Sequence, residues 1–129
     1  MPDFAVDTNV LLRFMARQKD LPEEMLQYLR EAESGNTRCF VPAVVPMEML
    51  YLFEKRRIPK GVGDVAELLD DEGFELQPLD LGVLLAAVPI DDIPELHDRL
   101  IAATAGYLNV PLLTLDPVIK SSRHVRTLV

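Results

Sequence analysis

Residues 4–14, FAVDTNVLLRF, set an aspartate, a threonine and an asparagine between two apolar runs. FAV has the length and composition of a short strand, and the residues after it carry apolar side chains at 10, 11, 14 and 15, which is helical spacing. The reading is a strand that ends at Asp7 and passes directly into a helix. That unit recurs along the chain.

Leu21-Pro22-Glu23-Glu24 opens a second helix, with Pro22 tolerated in the first turn, and Ser34-Gly35-Asn36 ends it. CFVPA (39–43) reads as the next strand, and Pro46 starts a helix that runs through MEMLYLFEKRR to a stop at Ile58-Pro59. A helix over 62–72 leads through Gly73 to a third strand, FELQPL, and then to the helical LDLGVLLAAV. Asp91-Asp92 and Pro94 break the chain before ELHDRLIAATAGYL, another helix. Asn109-Val110-Pro111 turns into the apolar strand PLLTLD, and HVRTLV is expected to be a last short strand. Strands separated by helices need crossover connections, so the expected fold class is α/β: a three-layer sandwich with a mostly parallel sheet of about five strands and helices on both faces. No repeat, low-complexity stretch or long linker divides the chain, and residues 1–129 are expected to form a single domain.

Hydrophobic residues make up 49% of the sequence and charged ones 26%, the balance of a globular protein rather than a disordered chain. The lone Cys39 excludes an internal disulfide, argues against a thiolate zinc site, and in its apolar setting reads as a small core residue. LGVLLAAVPI is too short to span a bilayer and the N-terminus does not resemble a secretory leader, so the expectation is a cytoplasmic protein with no membrane partner. A net charge of −8 opposes long-range attraction to nucleic acid, whose binding rests on Lys and Arg at phosphates. Only EKRRIPK (54–60) and the tail KSSRHVR (120–126) reverse that sign locally.

In parallel sheets ligands bind beyond the carboxyl ends of the strands. Asp7 closes the first strand and Asp116 closes PLLTL, while Glu48 and Asp98 fall in the first turns of helices that follow strands or loops at that edge. Asp98 shares a helix face with Ala102 and Ala105, about 40° and 20° away, so small residues let that face approach the sheet. Each acid has an ordinary alternative: a helix cap for Asp7, a favourable charge at a helix start for Glu48 and Asp98, a turn with Pro117 for Asp116. If the four converge, their repulsion calls for retained protons or a bound cation. All-oxygen donors with no Cys or His cluster suit a hard ion, Mg²⁺ or Mn²⁺. His97 adjoins Asp98 but points elsewhere on a helix, and His124 lies in the basic tail, so neither is assigned a ligand role.

VDTNVLLRF, the helix carrying PMEML, and DRLIAATAGYLNVPLLTLD together resemble the PIN-domain ribonucleases, and in size and pattern the VapC-type toxins of toxin–antitoxin pairs. The likeness runs from about residue 3 to 118 and is loosest over 54–92. The resemblance implies Mg²⁺- or Mn²⁺-dependent hydrolysis of RNA phosphodiesters, with Asp7, Asp98 and Asp116 as direct ligands and Glu48 as a ligand or the holder of a water. It assigns Thr8, Asn9 and Thr114 to orienting those carboxylates. It also implies a small antitoxin, a homodimer, and products with 5′-phosphate and 3′-hydroxyl ends. Arg13, Arg56, Arg57, Arg99, Lys120 and Arg123 are candidates for guiding the RNA backbone, along with Lys55, Lys60 and Arg126.

Competing readings fit less well. A dehalogenase-type phosphatase wants a second acid two residues after Asp7, where Asn9 stands. A receiver domain wants an early acidic pair and an aspartate ending a middle strand, and Leu79-Asp80 is out of pattern for that. A catalytically silent PIN fold acting as a protein-binding module predicts the loss of an acid, and none is missing.

Overall fold

The computed structural model describes residues 2–17 and 20–129. Four strands, β1 (Phe4–Val6), β2 (Cys39–Pro42), β3 (Phe74–Gln77) and β4 (Leu112–Leu113), pair in the order β3-β2-β1-β4, all parallel. Among the described residues seven helices connect and flank them: α1 (Thr8–Met15), α2 (Glu23–Glu33), α3 (Val44–Glu54), α4 (Val62–Leu68), α5 (Leu81–Ala87), α6 (Leu96–Leu108) and α7 (Pro117–Lys120). Successive residues of a strand face opposite sides, and all three residues of β1 are fully buried, so both faces of the sheet are covered at its centre.

The α/β class and the parallel sheet are as the sequence predicts, with one strand fewer. HVRTLV makes a single parallel bridge, Leu112 to Thr127, supported by hydrogen bonds from Leu112 N–H to Arg126 C=O (2.8 Å) and from Leu128 N–H to Leu112 C=O (3.0 Å). Pairing stops there because β4 itself is only two residues long. The strand predicted over PLLTLD ends early, as Thr114 and Asp116 turn into α7. Helix α3 begins at Val44 rather than Pro46. A proline in the first turn loses nothing there, because that turn's N–H groups have no helical partner.

Local sequence explains most boundaries. Asp7, Asp80, Glu95 and Asp116 each cap the helix they precede by accepting hydrogen bonds from backbone N–H groups in the first turn. Asn109 ends α6 in the left-handed conformation (φ 56°). Helix α6 is buried through Leu100, Ile101, Ala102, Ala103, Thr104 and Ala105, and packs against α5, α3 and β1. Its alanines permit the close approach that brings the helix start to the sheet edge. Gly73 sits where a Cβ would come 1.8 Å from the Ala32 carbonyl oxygen, which requires glycine in the turn into β3.

Candidate active site

The strand order changes direction at β1, which has β2 on one side and β4 on the other. That is a switch point, where the two carboxyl ends open a crevice. Register fixes what meets there. Val6 pairs with Leu113, so the next residue of β1, Asp7, is brought beside Thr114, with the Asp7 N–H donating to Leu113 C=O at 3.2 Å. Thr114, fully buried, donates its hydroxyl to Asp7 Oδ2 in a short hydrogen bond and accepts from the Asp116 N–H at 3.0 Å. Asp7 Oδ1 accepts from the Val10 N–H at 2.9 Å. Asp7 is therefore held at both oxygens and is buried, with 5% of its surface exposed.

From the other side, Thr8 Oγ1 donates to Glu48 Oε1 at 2.6 Å, tying the first turn of α1 to α3 across forty residues of sequence; because α3 begins at Val44, Glu48 lies just past its first turn rather than within it as expected. Asp98 lies in the first turn of α6 with Glu95 as the cap, its N–H donating to Glu95 Oε2 at 2.8 Å. Ala102 and Ala105, expected on its face, are both buried. Asp116 caps α7 through the Val118 and Ile119 N–H groups (2.8 and 3.4 Å).

Two of the four acids, Asp7 and Asp98, respond to the charges of the others. Asp98 is pushed from 3.8 to about 7, first by burial and then by the charges of Glu95, Asp116, Glu48 and Asp7. Asp7 is raised by burial, against the lowering effect of the Thr114 and Val10 hydrogen bonds, and further by the charges of Asp116 and Glu48. Among the described residues no Arg or Lys forms an ion pair with Asp7, Glu48, Asp98 or Asp116. An uncompensated group of hard oxygen donors at a crevice fits a divalent cation such as Mg²⁺ or Mn²⁺.

Two residues near the site were not anticipated in these places. Glu95 is the largest charge acting on Asp98, and its own carboxyl stays low: burial raises it, but hydrogen bonds from the Asp98 N–H and His97 prevail. The signal was available, since an acid three residues before Asp98 matches a helix cap. His97, which helical angle set aside, places Nδ1 2.7 Å from Glu95 Oε1. Its pKa is raised mainly by that hydrogen bond, opposed by burial, with Glu48 and Asp98 adding their charges.

The remaining sequence candidates scatter. Asn9 is exposed and accepts from Arg13 Nε at 3.0 Å rather than reaching a carboxylate of the quartet. Arg13 also pairs with Asp20, and it lines a groove of about 470 Å³ with Arg17, Arg30 and Lys60. Acids line that groove too, so it is not a track of one sign. Arg99 spends its guanidinium on the Ala87 and Val88 carbonyls (3.0 and 3.1 Å) at the end of α5. Arg56 and Arg57 follow the far end of α3, whose last residue, Glu54, lies about 9 Å along the helix axis from Glu48. Lys120 is exposed in the last turn of α7, the helix that Asp116 caps.

Arg123 belongs to a second cluster. Among the described residues, the trio of potential ligands lying within 4.8 Å of one another is Asp91, Asp92 and His124, and the quartet's oxygens are more widely spread. The second cluster is already compensated. Asp91 is lowered by its hydrogen bond to His124 and by the Arg123 charge, and Asp92 chiefly by the Ser122 hydroxyl. With Ser122 Oγ donating to Asp92 at 2.7 Å and the Arg123 N–H at 3.0 Å, this cluster fastens the tail to the loop before α6.

A family model for the PIN domain matches residues 4–123. Among solved structures, VapBC2 from Rickettsia felis, bound to a DNA fragment from its promoter, superposes with a TM-score of 0.71 at 18% identity over 99% of this chain and 98% of that one. FitAB bound to an IR36 DNA fragment superposes with a TM-score of 0.56 at 19% identity, covering 90% and 85%. The sequence matches none of the curated proteins with which it was compared.

Proposed function

Because the chain belongs to the PIN domain family, we propose that it is a Mg²⁺- or Mn²⁺-dependent endoribonuclease and the toxin of a toxin–antitoxin pair. The observation that carries this reading is that Asp7 and Asp98 both respond to the charges of Glu48 and Asp116, acids from separate elements that have no Arg or Lys ion-pair partner among the described residues.

Asp7, Asp98 and Asp116 would hold the cation, with Glu48 a further ligand or the acceptor that orients a water. When bound, such a cation neutralises the phosphate, makes water a nucleophile near neutral pH and stabilises the leaving 3′ oxygen. The chain's own contribution is positional. Thr114 fixes Asp7 and the Asp116 backbone at once, and Thr8 fixes Glu48, so Asp7 and Glu48 enter the reaction with little rotamer freedom to lose. Water attack without the ribose 2′-hydroxyl gives 5′-phosphate and 3′-hydroxyl ends.

The toxin assignment rests on the fold shared with VapBC2 and FitAB, which points to a small antitoxin as the partner. An acidic crevice of this kind is a natural receptor for an inhibitory Arg or Lys. A homodimer is supported by α5, where Leu81, Leu84, Leu85 and Val88 form an exposed stripe at helical spacing. Among the described residues no helix is long and apolar enough to cross a membrane.

The test is cleavage of single-stranded RNA with Mg²⁺, Mn²⁺ or EDTA, comparing wild type with Asp7→Asn and Asp98→Asn. Cleavage that needs the cation and both acids is expected. Cleavage in EDTA, or variants as active as wild type, would overturn the mechanism. A protein inert on every RNA that nonetheless binds a protein partner tightly would be the silent binding module instead.

A further inference from the structure

Beside the acidic crevice, between α3 and α6, lies a cavity of about 460 Å³ lined by Met47, Glu48, Tyr51, Leu52 and His97. Its size is that of a small-molecule pocket, and its walls are an aromatic ring, a thioether, an aliphatic side chain and an imidazole. Glu48 lines this cavity and is also one of the four candidate site acids, so the cavity adjoins the candidate site through that residue. Resting on the nuclease reading above, we infer that this cavity receives one unpaired nucleobase of the RNA, next to the phosphate that is cut.

Three features favour a base over another apolar occupant. Tyr51, 56% exposed, offers a ring for stacking, and bases stack on aromatic side chains with little regard to sequence. Lys55 Nζ lies over the Tyr51 ring, 5.6 Å from its centroid, which puts a cation beside a residue that lines the cavity, available to a nucleotide's phosphate. In a chain of net charge −8 that placement is informative. The His97 ring is held by Glu95 through Nδ1, and among the described residues Nε2 makes no hydrogen bond, leaving it to address a base edge. Tyr51 and Met47 thus supply affinity, and His97 acts as a specificity-determining residue.

The experiment uses the full chain with Mn²⁺ and a short single-stranded RNA whose cut site has been mapped, with an abasic nucleotide placed in turn at each position flanking the cut. One abasic position is expected to lower kcat/KM about tenfold. Tyr51→Ala should cause a similar loss on the intact RNA and little further loss on that abasic one, while Tyr51→Phe keeps the wild-type value. His97→Ala should change which base is preferred there. Additive losses, or no abasic position that matters while Asp98→Asn remains inactive, would overturn the inference and leave the nuclease reading standing. Conversion of a dimer to a monomer by Tyr51→Ala in light scattering would overturn it as well, by making this a face for a second copy. If the wild type cuts no RNA, fluorescence anisotropy with the same oligonucleotides decides: base-dependent binding lost in Tyr51→Ala sustains the pocket without the nuclease.

Discussion

Replacing Asp98 with asparagine tests whether the acids repel one another in the folded chain. The Asp98 carboxyl is raised from 3.8 to about 7. A gap of about 3 units corresponds to about 4 kcal/mol at 1.36 kcal/mol per unit. Asp98 is only half-buried, so solvent screening reduces the effect on stability to about 1–2 kcal/mol. For an acid whose pKa is higher in the folded state, the native protein keeps a proton that the unfolded chain has lost between pH ~4 and ~7. The resulting penalty is absent below that window, grows as pH rises through it, and is complete above pH ~7. Asn carries no charge and avoids the penalty, but it gives up the favourable effect of a carboxylate at a helix start, about 0.3–1 kcal/mol. The expected result at pH 8 in EDTA is that Asp98→Asn is more stable than wild type by roughly 1 kcal/mol, a Tm rise of about 3–5 °C. At pH 4 the advantage should vanish or reverse slightly. Thermal unfolding followed by circular dichroism from pH 4 to 8 measures both proteins, and their difference removes the contribution of the acids that do not interact with Asp98. Adding Mn²⁺ at a hundred times its Kd should stabilise wild type by about 2.7 kcal/mol, and the variant much less. A variant less stable than wild type at pH 8, with an unchanged dependence on pH, would refute the claim that these carboxylates crowd one another.

Other outcomes follow from the same geometry. Glu95→Gln removes the largest charge acting on Asp98 while keeping an oxygen for the cap, so the pH at which Asp98 titrates should fall, measurable by NMR titration of its carboxyl carbon. Thr114→Val leaves Asp7 Oδ2 and the Asp116 N–H without their partner inside the protein and should cost about 1–3 kcal/mol in denaturant unfolding, together with most of the RNA cleavage. Gly73→Ala drives a Cβ into the Ala32 carbonyl and should destabilise by about 3 kcal/mol or more, read as a lowered midpoint in urea. Leu85→Glu puts a charge on the exposed α5 stripe; the expected change is from dimer to monomer in light scattering, with the fold intact by circular dichroism.

Much of the molecule follows from its sequence because the relevant forces act within a turn or two. The passage from strand to helix at Asp7 is set by a capping side chain three residues from the N–H it serves, and the same holds for Asp80, Glu95 and Asp116. The burial of Ala102 and Ala105 beneath Asp98 follows from helical angle alone. The α/β class follows from alternation, since parallel strands require crossovers. Tertiary structure decided the rest. Thr114 meets Asp7 across 107 residues because Val6 pairs with Leu113, and a slip of one position would turn that hydroxyl away. Glu48 reaches Thr8 only because α3 starts beside α1 at the same sheet edge, and His97 borders Glu48 because α6 packs against α3. Arg99 and Arg123, which look free to meet RNA, are committed to the end of α5 and to Asp91. Pairing register and helix packing depend on the summed fit of many distant side chains. The chain therefore specifies its acids and caps locally, while the contacts of Thr114 with Asp7 and of Thr8 with Glu48 exist only once the sheet has closed around β1.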